Sequence, residues 1–437
     1  RNAISSPVAG LMIWCTDCGA SGEIQIYNGS DWVNFIGGNR QLTSMGLIGL
    51  DIDGEAAGDY SGYSVSLSSD GSTVAIGAPS NDGTGSNAGH VRIYKNISGT
   101  WTQVGADIDG EAAGDNSGYS VSLSSDGSTV AIGANYNDGT GSYAGHVRVY
   151  EYISSTSTWT QLGADIDGEA AGDYSGRSVS LSSDGSIVAI GARYNDGTGS
   201  NAGHVRIYKN ISGTWTQVGA DIDGEAAGDN SGYSVSLSSD GSTVAIGANY
   251  NDGTGSYAGH VRVYEYISST STWTQLGADI DGEAAGDYSG RSVSLSSDGS
   301  TVAIGAEYND GTASGAGHVR IYKNISGTWT QVGADIDGAA GDYSGWSVSL
   351  SSDGSTVAIG ADYNSGTGTY AGHVQVYKNV SGTWTQVGAD IDGEAAYDYS
   401  GYSVSLSSDG SIVAIGATGN DGTGSDAGHV RVQAEQL

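Results

Sequence analysis

Apolar and small polar residues alternate along short segments of this chain, and glycine-rich turns separate the segments. Residues 63–68 alternate in this way, as a strand with one buried face does. Residues 73–78 form a nearly continuous apolar run, which predicts a strand buried on both faces. The Asp70-Gly71 pair between the two segments predicts a tight hairpin, because Asp-Gly readily adopts the backbone angles of such turns.

Two more strands follow in the same unit. A loop rich in Gly, Asn and Asp spans residues 79–89 and leads to a third strand at 90–94. A turn at 95–99 then leads to a fourth strand at 100–105. The pattern therefore predicts a unit of four antiparallel strands joined by short connections.

This four-stranded unit occurs seven times. The phrase Asp-Ile-Asp-Gly begins at positions 51, 107, 165, 221, 279, 335 and 390, and residues 107–164 recur without change at 221–278. A fixed period of this length is typical of repeat architectures, in which each unit buries its faces against its neighbours. We therefore predict an all-β fold, a seven-bladed β-propeller of four-stranded antiparallel blades.

The two ends of the repeat region predict how the ring closes. The last repeat stops after its third strand, at 429–432, whereas residues 45–50 align with the fourth-strand segment 101–106. We expect this N-terminal strand to complete the last blade, which leaves no exposed sheet edge at the join. The predicted propeller covers 43–437, and residues 1–42 form an appendage with a small hairpin at 23–27 and 32–35.

Composition narrows the class of partner. The chain carries 15 basic and 49 acidic residues, a net charge of −34, so it repels phosphate backbones and anionic membranes. No apolar run reaches the roughly 18 residues of a membrane span. We expect a monomeric disc outside the cell or on its surface, alone or within a larger surface protein, with no nucleic-acid partner and no membrane insertion. Cys15 and Cys18 are expected to form a local disulfide in an oxidising compartment.

The repeat resembles a known bacterial family. Its segments Gly-His-Val-Arg-Ile-Tyr at 89–94, Gly-Thr-Trp-Thr-Gln at 99–103 and Thr-Val-Ala-Ile-Gly-Ala at 73–78 are similar to the FG-GAP repeat, which is related to the propeller of integrin α-subunit heads. The resemblance spans 44–432 and implies the propeller fold. Integrin-type repeats hold calcium in a long hairpin loop, which is shortened here to Ser-Ser-Asp-Gly-Ser, so those calcium residues are not carried over.

The loop before each first strand carries alternating carboxylates. The candidate metal ligands in the first two loops are Asp51, Asp53, Glu55, Asp59, Asp107, Asp109, Glu111 and Asp115. Oxygen ligands spaced in this way suit Ca²⁺, the one cofactor that the sequence suggests. The alternative is that Asp and Gly are turn formers whose side chains bind nearby backbone amides. Both interpretations stay open at this stage.

One histidine per repeat begins the third strand. These histidines are His90, His146, His204, His260, His318, His373 and His429. We expect each to be a buried residue with its hydrogen bonds satisfied rather than a metal ligand or base, because buried polar groups need partners. The repeated tryptophans, such as Trp101 and Trp159, are expected to pack within the ring.

Positions that differ between otherwise similar repeats are the candidate ligand contacts. Directly before the first strand they are Tyr63, Tyr119, Arg177, Tyr233, Arg291, Trp346 and Tyr402. We predict that they surround the mouth of the central channel, on the face formed by the loops that precede the first strand and follow the second. Aromatic and Arg side chains contribute strongly to binding at interfaces. The alternative is neutral drift in loops.

Three functions fit these observations. The leading one is a secreted or cell-surface binding or adhesion module that recognises a glycan or an extracellular protein through its loop-rich face. The alternative is a structural repeat domain of an extracellular adhesin or filament without a discrete ligand. A propeller-type enzyme is the third, but no carboxylate pair or nucleophile differs from the repeat background, so we expect no catalysis.

Overall fold

The computed structural model describes residues 12–15, 23–27, 32–34 and 44–436, whose regular elements are all strands. Strands β1 (Met12–Cys15), β2 (Glu23–Tyr27) and β3 (Trp32–Asn34) form one antiparallel sheet in the order β1-β2-β3. The pairing of β2 with β3 confirms the hairpin, and β1 is an additional strand. Residues Met45–Ala434 form a compact unit of their own. No helix capable of spanning a membrane occurs in the part of the chain that the structure describes.

The remaining strands build seven blades. They are β4 (Ser44–Leu47), β5 (Ile52–Asp53), β6 (Ser64–Leu67), β7 (Thr73–Ala78), β8 (His90–Ile97), β9 (Thr100–Gln103), β10 (Ile108–Asp109), β11 (Ser120–Leu123), β12 (Thr129–Ala134), β13 (His146–Ile153), β14 (Thr158–Gln161), β15 (Ile166–Asp167), β16 (Ser178–Leu181), β17 (Ile187–Ala192), β18 (His204–Ile211), β19 (Thr214–Gln217), β20 (Ile222–Asp223), β21 (Ser234–Leu237), β22 (Thr243–Ala248), β23 (His260–Ile267), β24 (Thr272–Gln275), β25 (Ile280–Asp281), β26 (Ser292–Leu295), β27 (Thr301–Ala306), β28 (His318–Ile325), β29 (Thr328–Gln331), β30 (Ile336–Asp337), β31 (Ser347–Leu350), β32 (Thr356–Ala361), β33 (His373–Val380), β34 (Thr383–Gln386), β35 (Ile391–Asp392), β36 (Ser400–Leu406), β37 (Ile412–Ala417) and β38 (His429–Gln436).

Every blade repeats one antiparallel pattern. In blade 1 the order from the channel outward is β6-β7-β8-β9, and the short β10 extends the sheet by pairing with β8. The second strand β7 is buried at all its positions, as its apolar run predicts, because neighbouring blades cover both of its faces. The core accordingly lies between blades: Val65 and Ile76 of blade 1 share a cluster with Val430 of blade 7.

The connection between the third and fourth strands differs from the prediction. The sequence predicts a turn at 95–99, but β8 continues to Ile97 and only Ser98 and Gly99 form the turn. Both residues have positive φ, 55° and 88°. This is the backbone geometry of a two-residue hairpin whose twist matches that of the strands it joins. The third strand is therefore longer than the pattern of apolar residues indicated.

The ring closes as predicted. Strand β4 is the fourth strand of the last blade, in the order β36-β37-β38-β4, and the Ile48 N–H donates to the Val432 carbonyl at 2.8 Å. A second closure lies at the end of the channel that carries the short hairpins. There, each blade donates one backbone N–H to the carbonyl of the next, at 2.8–2.9 Å, in a circle through Ser69, Ser125, Ser183, Ser239, Ser297, Ser352 and Ser408.

Candidate functional site

Seven side chains that vary from blade to blade lie together inside the channel at its other end. Tyr63, Tyr119, Arg177, Tyr233, Arg291, Trp346 and Tyr402 line a cavity of about 230 Å³ with the Ser and Val residues of the first strands. They meet because each directly precedes the innermost strand of its blade. The structure thus brings all seven predicted residues together, but within the channel as well as at its mouth. We call them the channel ring.

The members of the channel ring pack against one another. The Tyr63 ring lies 4.7 Å from that of Tyr119 and 4.8 Å from that of Tyr402, measured between centroids. The guanidinium of Arg177 lies over Tyr119 and Tyr233, 4.8 and 4.3 Å from their centroids. Tilted aromatic contacts and cation–π contacts of this kind are attractive.

The same contacts close the circle on the other side. The guanidinium of Arg291 lies 4.9 Å from the Tyr233 centroid and 3.8 Å from that of Trp346. Trp346 in turn lies 5.5 Å from Tyr402. Burial raises the pKa of Tyr402 to about 12, so its hydroxyl is neutral at ordinary pH. The side chains of the channel ring therefore pack mainly against one another.

A second varying layer follows the second strands. It consists of Pro79, Asn135, Arg193, Asn249, Glu307, Asp362 and Thr418. The two carboxyl groups in it, Glu307 and Asp362, are both buried. Burial raises the pKa of Glu307 to about 7, although Arg291 Nε at 3.3 Å from Glu307 Oε1 opposes the shift. Burial likewise raises the pKa of Asp362 well above its usual range.

Tyrosines cover the loop-bearing face around these layers. Their rings touch in two runs with centroid separations of 5.0–6.1 Å. The first run contains Tyr136, Tyr143, Tyr174 and Tyr194, and the second contains Tyr250, Tyr257, Tyr288, Tyr308, Tyr343, Tyr363, Tyr370, Tyr397 and Tyr399. We call them the tyrosine belt.

Two gaps separate the runs of the belt: one lies between Tyr194 and Tyr250, and the other lies where two blades lack the tyrosine that follows the second layer. The residue after the varying second-layer position is Tyr in blades 2 to 6, but Ser80 in blade 1 and Gly419 in blade 7. A cleft of about 620 Å³ lies there, and its walls include Tyr60, Tyr399 and Trp346. We call it the loop-face cleft. Ser80 and Tyr60 share it, which confirms that the two predicted sets of loops lie on one face.

The loop-face cleft takes four members of the channel ring as its floor. Tyr63, Tyr119, Trp346 and Tyr402 line it, together with the carboxyl groups of Asp362 and Asp426. Arg177, Tyr233 and Arg291 line only the channel cavity. The predicted contact residues therefore divide into four that a ligand in the cleft can reach and three that hold the ring together.

Several tyrosines of this face have a strained backbone. Tyr60, Tyr174, Tyr288, Tyr343 and Tyr399 all have φ between 54° and 56°, whereas blades 2 and 4 have Asn at the equivalent position. A non-glycine residue in the left-handed region costs about 1–2 kcal/mol, and Asn tolerates it better than Tyr. The tyrosine side chain therefore occupies this position at a cost in stability.

The carboxylates of the loop before the first strand contact three separate sets of partners. Asp51 Oδ2 lies 3.9 Å from His429 Nδ1, and Glu55 Oε2 lies 3.8 Å from His90 Nδ1. Asp53 contributes its backbone carbonyl, which accepts a hydrogen bond from Arg92 at 2.7 Å. Asp59 Oδ2 accepts hydrogen bonds from the Ala56 N–H and the Asn81 amide, both at 3.0 Å.

The second loop repeats this distribution. Asp107 Oδ2 lies 3.9 Å from His90 Nδ1, and Glu111 Oε2 lies 4.0 Å from His146 Nδ1. The Asp109 carbonyl accepts from Arg148 at 2.7 Å, and Asp115 Oδ2 accepts from the Ala112 N–H at 3.0 Å. Asp59 and Asp115 thus hold their own turns, as the turn interpretation describes, while Ca²⁺ binding by these loops stays a prediction.

The repeated histidines are buried, but not all of them are satisfied. His204 and His318 are each 1% exposed, and within the described residues Nδ1 of each lacks a hydrogen-bond partner. The expectation of a satisfied histidine is wrong for these two, because the nearest carboxylate oxygens lie 3.7–3.9 Å away. It is also wrong for His146 and His260, whose Nε2 has no hydrogen-bond partner within the described residues. Burial, and then Arg206, lower the pKa of His204 to about 4, which keeps its imidazole neutral.

Three segments of the chain, residues 52–94, 165–208 and 329–377, match the FG-GAP repeat family. The chain carries FG-GAP repeats. No curated protein sequence matches it.

Solved structures similar to this FG-GAP propeller include two bacterial proteins. One is a hydrazine synthase from Kuenenia stuttgartiensis, with a TM-score of 0.50 and 12% identity over 84% of this chain and 94% of that one. The other is a putative 6-phosphogluconolactonase from Bacteroides uniformis, with a TM-score of 0.55 and 13% identity over 87% of this chain and 95% of that one. At such identities the likeness shows the fold alone.

The short hairpin of these FG-GAP repeats has a structural role. Asp70 Oδ1 accepts hydrogen bonds from the Ser68 hydroxyl at 2.7 Å and from the Ser72 N–H at 2.9 Å. Although partial burial opposes it, these hydrogen bonds lower the pKa of the Asp70 carboxyl. The hairpins of blades 2 and 3 have the same Ser-Ser-Asp-Gly-Ser sequence and the same hydrogen bond from the first Ser to the Asp.

The predicted Cys15–Cys18 disulfide lies outside the described residues, because Cys18 does.

The loop-face cleft is the candidate site that reasoning from sequence missed. Its signal was present, since Ser80 and Gly419 are the only breaks in a column of tyrosines across the FG-GAP repeats. Nothing in the sequence indicated that the side chains of Glu307 and Asp362 are both buried, because each stands at a position that varies between repeats.

Proposed function

We propose that the protein is an extracellular or cell-surface binding module whose loop-face cleft takes a glycan. The observation that carries this proposal is the cleft of about 620 Å³ at Ser80 and Gly419, the two places where the tyrosine column is broken. Ligand pockets commonly measure about 300–1,000 Å³ and combine apolar walls with a few polar groups. An extracellular protein ligand and a purely structural role are the alternatives that the experiment distinguishes.

The walls of the cleft suit a sugar ring. Tyr60, Tyr399 and Trp346 supply aromatic surface, against which the apolar face of a pyranose can pack. Tyrosine hydroxyls at the ring edges can donate and accept hydrogen bonds to sugar hydroxyls. Aromatic side chains bring this contact area with little loss of conformational entropy, since each has only two rotatable side-chain bonds.

Asp362 supplies a polar group at the base of the cleft. It is 1% exposed, and within the described part of the chain its Oδ1 has no hydrogen-bond partner. Burial raises the pKa of this carboxyl well above its usual range, and its free oxygen can accept a hydrogen bond from a ligand hydroxyl. A buried polar atom without a partner gains free energy when a ligand hydroxyl reaches it.

The overall charge supports a neutral or basic glycan outside the cell. A net charge of −34 disfavours sulfated, phosphorylated or other acidic ligands as well as nucleic acid. We propose that binding is the activity of this face. The FG-GAP repeats fit this role, since the propeller presents one loop-bearing face on a rigid disc.

The proposal is tested with a glycan array and two matched variants. Ser80→Tyr fills the cleft with the residue that blades 2 to 6 already have at this position, so we expect it to fold normally and to lose binding. Tyr250→Ser makes the reverse change in blade 4, outside the cleft, and should retain binding. Melting temperatures of all three proteins provide the control for folding.

Each result of the array has a distinct meaning. Discrete hits that Ser80→Tyr removes and Tyr250→Ser preserves support the proposal. Hits that survive Ser80→Tyr place the ligand elsewhere on the disc and contradict it. An array without hits favours the structural or protein-binding alternative.

A further inference from the structure

A histidine and two carboxylates converge in six of the seven blades, on residues that the loop-face cleft does not use. In each set the Glu comes from the loop before the first strand, the His begins the third strand, and the Asp follows the fourth strand. The sets are Glu55–His90–Asp107, Glu111–His146–Asp165, Glu169–His204–Asp221, Glu225–His260–Asp279, Glu283–His318–Asp335 and Glu394–His429–Asp51. We call them the His–carboxylate triads.

The geometry of blade 3 shows how a triad is arranged. His204 Nδ1 lies 3.9 Å from Glu169 Oε2 and 3.7 Å from Asp221 Oδ2. Both distances are too long for a hydrogen bond. His204 is nevertheless 1% exposed, and among the described residues its Nδ1 has no hydrogen-bond partner. A buried nitrogen therefore faces two carboxylate oxygens across a gap.

The second oxygen of each carboxylate is already held by another side chain. Arg206 Nη1 lies 3.5 Å from Glu169 Oε1, and Gln217 Nε2 donates to Asp221 Oδ1 at 2.5 Å. Each carboxylate is thus oriented so that its free oxygen faces His204. Outer partners that orient ligands in this way accompany most protein metal sites.

We propose that each His–carboxylate triad binds one divalent transition-metal ion of the Zn²⁺ class through His Nδ1 and one oxygen of each carboxylate. Two ligands of a tetrahedral Zn²⁺ at about 2.0–2.2 Å lie roughly 3.3–3.6 Å apart. The candidate ligand atoms of a triad lie within 4.8 Å of one another, so movements of about 1 Å or less complete the site. A water molecule can supply the fourth ligand, since the Glu169 side chain is 45% exposed and the triad is open to solvent.

The ligand set selects the metal class. Ca²⁺ takes six to eight oxygen ligands, whereas one imidazole nitrogen with two carboxylate oxygens suits Zn²⁺ and its neighbours. An ion in the triad would connect the loops on both sides of a blade to its third strand.

Blade 6 is a natural control. His373 Nδ1 lies 3.6 Å from Asp390 Oδ2, but the repeat is one residue shorter and has Gly338-Ala339 where the others have Gly-Glu. Gln375 also replaces the Arg that orients the Glu elsewhere. We therefore expect six sites and not seven.

Native mass spectrometry of the chelator-treated full chain, after addition of Zn²⁺ alone, tests the proposal. We expect six bound ions, five in Glu169→Gln, and six in the control Glu151→Gln, whose exposed carboxylate lies outside the triads. Insertion of Glu after Gly338, combined with Gln375→Arg, should raise the count to seven. The melting temperature should rise with Zn²⁺ and fall when a chelator removes it, because the ion binds only the folded triad.

The proposal is overturned if Zn²⁺ binds without a defined count, if Glu169→Gln leaves the count at six, or if only Ca²⁺ binds. Glu169 is largely exposed and its Gln variant should fold, so a lower melting temperature in the absence of metal serves as the check on folding. The result does not depend on whether the loop-face cleft binds a glycan.

Discussion

The two ends of the central channel are built on opposite plans. At the hairpin end every blade contributes the same Ser-Ser-Asp-Gly-Ser turn, and seven serine backbones form a closed circle of hydrogen bonds. At the loop end no two adjacent blades contribute the same pair of inner residues, although the adjacent members Tyr402, Tyr63 and Tyr119 of the channel ring are all tyrosines. Identical residues suit closure, because a symmetric ring needs the same contact seven times. A site that binds an asymmetric ligand needs the symmetry to be broken.

The two ends also differ in the free-energy cost of their strained and unsatisfied groups. The serine circle satisfies its backbone groups with one another. The loop end includes the buried carboxyl groups of Glu307 and Asp362, each with one oxygen that has no hydrogen-bond partner among the described residues, and nine tyrosines with positive φ. Strain and unsatisfied buried groups of this kind are commonly retained at functional sites. This difference is why the proposed ligand site is placed at the loop end rather than at the hairpin end.

Deletion of residues 1–50 should have the largest effect, because it removes β4 and opens the ring. We expect a loss on the order of 5 kcal/mol, comparable to the whole net stability of a marginal domain. Thermal melting followed by circular dichroism measures it. Deletion of residues 1–42 is the control, since it leaves β4 (Ser44–Leu47) in place. An unchanged melting curve for the longer deletion would contradict closure by this strand.

Glu307→Gln should remove a pH dependence that belongs to the loop end. Burial raises the folded-state pKa of Glu307 from 4.5 to about 7, so its favourable contribution is complete below pH 4.5 and is lost as pH rises through 7. Relative to the variant, the wild-type protein should lose about 3 kcal/mol between these pH values. Urea unfolding of both proteins at pH 4 and pH 8 measures the difference. If the free energy of unfolding changes by the same amount in the wild-type protein and in the variant between pH 4 and pH 8, Glu307 is not buried as described.

Arg177→Ala should cost about 1–3 kcal/mol of folding stability, because it removes cation–π contacts with Tyr119 and Tyr233 from the channel ring. Ser183→Ala is the matched change at the hairpin end. It leaves the backbone circle intact and should change stability by less than about 0.5 kcal/mol. Because Arg177 does not line the loop-face cleft, we expect its effect on folding to exceed its effect on ligand binding. A larger effect of Arg177→Ala on ligand binding than on folding would place the ligand in the channel.

Tyr60→Asn should stabilise the protein by about 1 kcal/mol, the smallest of these effects, because Asn tolerates the φ of 54° better than Tyr. Blades 2 and 4 already have Asn at the equivalent positions, Asn116 and Asn230. The same change removes one aromatic wall of the cleft and should weaken ligand binding. Chemical denaturation and ligand titration measure the two effects. A variant that is less stable would show that the Tyr60 backbone is not strained.

Much of the fold could be predicted from sequence because the repeats provide the same evidence seven times. The Thr73–Ala78 strand, the Asp70-Gly71 hairpin and closure by residues 45–50 all follow from local patterns. The turn at 95–99 was placed incorrectly, since β8 extends to Ile97 over polar, exposed positions that apolar periodicity does not detect.

The candidate site was predictable only in part. Variation between repeats led to the channel ring, because inner positions of a ring are neighbours whatever their residue type. It could not show that Arg177 and Arg291 would pack against aromatic rings, since those contacts depend on which blades adjoin. Nor could it show the His–carboxylate triads, whose members lie in three separate segments and belong to two different repeats.

The central claim is that broken symmetry at Ser80 and Gly419 creates the binding site. A crystal structure of the protein with an oligosaccharide selected on the array tests it most directly. The account predicts sugar density in the loop-face cleft, packed on Tyr60 or Trp346 and within hydrogen-bond distance of Asp362. Sugar density at the hairpin end, or on the unbroken part of the tyrosine belt with the cleft empty, would contradict it.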